Sequence, residues 1–174
     1  YTLFELVFGK ISRTVPVNYA VMGIFTLFES YLVSQVCSIY VASSVLLAAV
    51  ATLSATLGLT YYAMTLNKIS LQVHSSEKVE YYHLGILYSL SWIVLSVSLI
   101  NLFFLRSSLI STGIACVFAV IYSIYLLIDT QQVLGGKHNK LQLDDYILGA
   151  TIIYVDIISL FLKILQILGK KKDD

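Results

Sequence analysis

The sequence predicts an all-α fold, a multi-pass transmembrane helix bundle with five apolar spans and, ahead of them, the end of a truncated N-terminal one. Three observations predict it. Hydrophobic residues fill 58% of the 174 positions and charged residues only 12%, with a mean hydropathy of +0.85, more apolar than a soluble domain of this size can hide in a core. The apolar residues come in runs of roughly twenty or more, the length that carries a helix across about 30 Å of hydrocarbon. Charges gather between the runs, with few exceptions. We read residues 1–174 as a single transmembrane domain, with spans at about 17–40, 41–66, 82–105, 109–133 and 146–168.

Taken in order, residues 1–8 read as the tail of an apolar helix ended by Gly9, and Lys10 to Pro16 as a loop that leads into a helix at Val17, since proline suits a helix start. The chain begins at Tyr1 with neither Met nor a charged segment before an apolar run, so no signal peptide is expected and a natural N-terminus is expected to be missing. The first span carries one charge, Glu29. The second carries none, and its Ala48, Thr52, Thr56 and Thr60 recur every fourth residue as a face for close helix packing. Residues 67–81 form the longest polar stretch; its charges suit a solvated loop and His74 lacks metal-ligand spacing. The third span opens on Tyr81 and Tyr82, which suit the interface, and holds Trp92 deeper, where packing is expected. Arg106-Ser107-Ser108 turns into the fourth span, stopped by Gly135-Gly136; Asp144 and Asp145 precede the fifth, as acids at a helix N-terminus should. Cys37 and Cys116 lie in apolar runs and read as small buried hydrophobes.

The net charge of +1 leaves no basic stripe for a nucleic acid. Within the spans the costly residues are acids: Glu29, Asp129 and Asp156. A carboxylate in hydrocarbon needs a partner or a job. Asp129 and Asp156 are the candidate functional site. Brought together in low dielectric they cannot both ionise cheaply, so one holds a proton, and a cation replacing that proton gives a route for calcium or protons. On straight antiparallel helices Asp129 lies one turn from the connecting loop and Asp156 about three, a mismatch of order 10 Å. Glu29 reads either as part of the path or as a neutral acid hydrogen-bonded to a neighbour. Lys163 shares a similar face with Asp156 but lies near enough to the helix end to snorkel.

Topology pulls two ways. Lys10, Arg13, Lys68, Lys78, Lys137 and Lys140 share one side, which the positive-inside rule assigns to the cytosol. Five full crossings then leave Lys170 to Lys172 outside, unless the last segment re-enters. Yet Lys171 and Lys172, followed by Asp173-Asp174, resemble a dilysine retrieval signal, which works only from the cytosol.

Val17-Asn-Tyr-Ala-Val-Met-Gly, Ile128-Asp-Thr-Gln-Gln-Val-Leu-Gly-Gly-Lys-His and Asp145-Tyr-Ile-Leu-Gly-Ala-Thr-Ile-Ile-Tyr-Val-Asp-Ile-Ile-Ser-Leu-Phe-Leu resemble the transmembrane Bax inhibitor motif family, its lifeguard branch in particular, over about residues 11–169. The resemblance implies six or seven helices, of which this chain lacks the first and most of the second. It implies a calcium leak in intracellular membranes, endoplasmic reticulum or Golgi, with protection against cell death as the output. It implies that Asp129 and Asp156 form a hydrogen-bonded pH sensor that gates the pore and touches calcium transiently, with Arg13 nearest to a latch arginine. The expected partners are the bilayer, calcium, protons and apoptosis-regulating membrane proteins. No cofactor and no enzymatic activity are expected. The chain departs from the family pattern at Ile152 and Ser159, where Asn is usual, and at Lys163, where an aromatic or aliphatic residue is usual.

Three other functions compete. Two buried aspartates sharing a proton also make a hydrolytic dyad, but neither sits in the Gly-x-Gly-Asp setting of an intramembrane aspartyl protease. A proton-coupled transporter would use the acids as a relay, though no inverted repeat is visible. A non-conducting interaction protein regulating apoptosis would show no flux.

Overall fold

The computed structural model describes residues 16–70 (side chains to 65), 89–90, 92–101, 103, 107–134 and 146–172. Among the described residues four long helices carry it: α1 (Val17–Ser38), α2 (Ala42–Ser70), α3 (Ser108–Val133) and α4 (Tyr146–Leu168). Each is long and apolar enough to cross a membrane, α2 over Ala42–Thr65. Helices lie at the expected spans 17–40, 41–66, 109–133 and 146–168, with ends that differ by a few residues. Of the expected span 82–105 the described residues are helical at 89–90 and 92–100. The expected helix tail at 1–8, Arg13, and the loops at 71–81 and 135–145 lie outside the described residues.

Local chemistry sets the helix ends. Pro16 precedes α1, where its missing N–H costs nothing, and its carbonyl accepts from Ala20 at 3.4 Å. Ser107 caps α3: its side chain accepts from the Ile110 N–H. Buried Asn101 locks the turn before it, accepting from the Ser107 N–H (3.1 Å) and donating to the Ser107 carbonyl (3.3 Å) and Ser111 Oγ (3.0 Å). One polar side chain thus satisfies three groups that lipid could not.

α3 and α4 pack together, α2 lies against both, and α1 joins α4. The core is Ala115, Phe118, Ile121 and Leu126 of α3, Ile147, Leu148, Leu160 and Leu165 of α4, and Ala48 and Ala63 of α2. The expected small-residue face of α2 is present in part: Ala48 and Thr52 are buried, Thr56 and Thr60 half-buried. The Thr52 and Thr56 hydroxyls donate to the carbonyls of Ala48 (2.7 Å) and Thr52 (2.8 Å), so the helix satisfies its own hydroxyls and offers methyl groups to its neighbours. Leu27, Phe28, Leu46, Leu53, Leu57 and Val120 point outward. In water such a surface aggregates; a bilayer solvates it. Two expectations fail. Trp92, expected to pack, is 55% exposed, and Cys116, expected buried, is exposed, because both fall on outward faces that the periodicity of an all-apolar run does not mark.

The ends of the bundle are tied. At one, the Tyr19 and Tyr146 hydroxyls meet at 2.9 Å. At the other, the residues after α4 form a strap across the α1–α2 turn: Val41 N–H donates to the Lys170 carbonyl (2.9 Å), Lys172 N–H to the Ile39 carbonyl (3.0 Å), and Lys170 N–H to Ser44 Oγ (3.0 Å). Gly169 permits it, since a Cβ there would lie 2.5 Å from Cδ1 of Tyr40 and would also strike the Leu165 carbonyl. The starts of α2 and α3 and the end of α4 therefore share one face of the bundle.

Candidate functional site

Asp129 lies one turn before the end of α3, and Asp156 near the middle of α4. Both are buried, 4% and 7% exposed, in runs whose apolar pattern exists to pack these two helices. Their carboxyl groups meet in a side-chain hydrogen bond. Such a bond between two carboxyls needs a proton on one of them. The second oxygen of Asp156, Oδ2, and the neighbouring Thr130 Oγ1 are buried with no hydrogen-bond partner among the described residues.

The register explains how the pair forms despite the expected mismatch. Lys163 lies over Phe118 and Ser159 bonds Tyr122. A step of four residues along α4 is thus a step of four the other way along α3, an antiparallel register that sets Val133 level with Leu148. α4 overhangs α3 there by only two residues, about 3 Å. The aspartate contact is diagonal, Asp156 lying one turn, about 6 Å, beyond Ile152, the residue level with Asp129. Overhang and diagonal together absorb the 10 Å. The same contacts make α4 a continuous helix of 23 residues running the length of α3, about 34 Å at 1.5 Å per residue; it does not fold back.

A family model described as "Inhibitor of apoptosis-promoting Bax1" matches residues 2–173. The chain belongs to the Bax inhibitor family. Protein lifeguard 3 of Mus musculus is 28% identical over 161 residues, 91% of this chain and 49% of the mouse protein. Protein LIFEGUARD 1 of Arabidopsis thaliana is 33% identical over 158 residues, 88% of this chain and 61% of the plant protein, and LIFEGUARD 4 is 31% identical over 153 residues, 87% and 57%. The chain spans about half to three fifths of the length of these relatives.

In this Bax inhibitor family chain the third acid stands apart. Glu29 is half-buried on α1 and makes no hydrogen bond among the described residues. α1 runs parallel to α4, with Tyr19 beside Tyr146 and Phe25 edge-on to Tyr154 (centroids 6.4 Å). That offset sets Glu29 level with Asp156 to within a residue or two, and about one turn or more beyond the level of Asp129; only the two aspartates touch. Lys163 does not snorkel. Its Nζ lies 5.1 Å from the centroid of the buried Phe118 ring, turned toward α3. Arg13 lies outside the described residues. Lys171 pairs its backbone with Tyr40 on the strap, at the end of the bundle opposite the loops that the charge count assigns to the cytosol. Retrieval signal and positive-inside orientation therefore exclude each other. Residue chemistry does not single out Tyr122 and Ser159: hydroxyls are common in spans, and only the helix register brings these two together beside Asp156. One signal was legible, since Asp156, Ser159, Lys163 and Gln166 recur at spacings of three and four, a polar stripe on one helix face.

Proposed function

We propose that this chain belongs to a pH-sensitive calcium leak protein of an intracellular membrane, endoplasmic reticulum or Golgi, with Asp129 and Asp156 as proton sensor and gate and suppression of cell death as the output. The observation that carries the reading is the buried carboxyl–carboxyl hydrogen bond between α3 and α4. Its proton ties the helices; loss of that proton leaves two like charges in low dielectric, which repel and attract a cation. Two carboxyls supply four oxygens at most, short of the roughly six to eight that calcium takes, so the ion passes rather than stays. No bond-breaking chemistry is proposed. Calcium and protons are the ligands, the bilayer is the solvent, and membrane proteins that regulate apoptosis are the partners, a reading supported by the family description.

The test is calcium flux into liposomes holding the full-length protein, from pH 5 to 8. Wild type is expected to leak with a pH dependence that flattens in Asp129→Asn and Asp156→Asn, because Asn keeps the volume and a hydrogen bond but cannot exchange a proton. Wild-type flux equal to that of empty liposomes at every pH would sink the leak and leave the non-conducting interaction protein in its place.

A further inference from the structure

Asp156, Ser159, Lys163 and Gln166 line one face of α4 at successive steps of three, four and three residues, and each has its counterpart on α3. Asp156 meets Asp129, Ser159 bonds Tyr122, Lys163 stands over Phe118, and Gln166 reaches the Ser111 carbonyl at 3.5 Å. Hydroxyls and amides join membrane helices as ordinary packing contacts, but a lysine in such an interface is costly and marks a function. Beside its apolar core of Ala115, Ile121, Leu160 and Leu165, this one carries a polar stripe from the aspartate pair to the strap end, with Lys163 in the middle. Among the described residues no carboxylate pairs with Lys163. An intramembrane cation that meets a ring, with no counter-ion among the described residues, is costly to keep, and its neighbours along the stripe are the hydroxyl of Ser159 and the amide of Gln166.

We propose that the α3–α4 seam is the outlet of the path from the aspartate pair to the strap face, and that Lys163 is its charge filter, a positive charge that discriminates against divalent cations. The inference rests on the leak reading and adds the direction of the path and the residue that sets selectivity. Lys163 is seven residues beyond Asp156, about 10 Å along the helix, so an ion leaving the acids passes close to the ammonium. Repulsion scales with the ion's charge. The barrier felt by calcium is twice that felt by potassium, and removal of the lysine must raise calcium flux by the square of the factor for potassium.

The experiment compares potassium and calcium flux into liposomes holding the full-length protein, as wild type, Lys163→Met and Lys163→Arg. Methionine keeps the length and apolar contact with Phe118. With partial screening, Lys163→Met is expected to raise potassium flux about threefold and calcium flux about tenfold, and Lys163→Arg to leave their ratio unchanged. A conducting wild type whose calcium-to-potassium ratio is the same in Lys163→Met overturns the charge filter and leaves the leak standing. Absence of flux from all three proteins for both ions overturns the leak, and the filter with it.

Discussion

A hydrogen bond ties Asp129 to Asp156; the oxygen left over, Asp156 Oδ2, and Thr130 Oγ1, on the residue after Asp129, are both buried with no hydrogen-bond partner among the described residues. An unsatisfied buried hydroxyl costs about 1–3 kcal/mol. Thr130→Val, which keeps shape and β-branching, is expected to raise stability in detergent by about 1 kcal/mol, read as a higher thermal midpoint. A fall in the midpoint would show that the hydroxyl holds a partner in the membrane, a water or an ion beside the acids. Glu29 shows the limit of reasoning at this scale. Residue chemistry marks it as equal to the two aspartates, yet it lies on α1, which contacts α4 from another side, so depth alone does not bring it into the pair.

Elements decide which residues meet. Wherever a hydrophobic run has no polar face, its rotation cannot be read, which is why Trp92 and Cys116 came out exposed. Wherever small or polar residues repeat at helical spacing, as at Ala48-Thr52-Thr56 or along α4, the buried face is legible. The strap after α4 depends on a contact that no spacing announces: Gly169 lies under the Tyr40 ring. Gly169→Ala is expected to destabilise the protein by about 1–3 kcal/mol through overpacking and to speed amide exchange at Val41 and Lys172, whose N–H groups hold the strap. Unchanged exchange at both would mean that the strap does not depend on the close approach of ring and glycine.

At the scale of the whole molecule, the strap and the full length of α4 fix which ends lie together. In a background lacking Cys37 and Cys116, single cysteines at Ser38 and Lys172 are expected to react with an impermeant thiol reagent from the same side of the membrane, and one at Leu134 from the other. Labelling of Ser38→Cys and Lys172→Cys from opposite sides would refute the packing of α4 described above. If their shared side is cytosolic, the positive-inside assignment of the other loops falls; if not, it stands. The sequence by itself determined the helical, multi-pass membrane character of the chain and which three acids in it are expensive, because length, apolarity and charge are properties of single segments, and its motifs carried the family. Only the tertiary structure decided that two of those acids touch, that Lys163 faces α3 and not the headgroups, and that the tail joins the α1–α2 turn. Those are matters of register and rotation between helices, set by how side chains of different segments interlock, and a residue's own chemistry does not contain them.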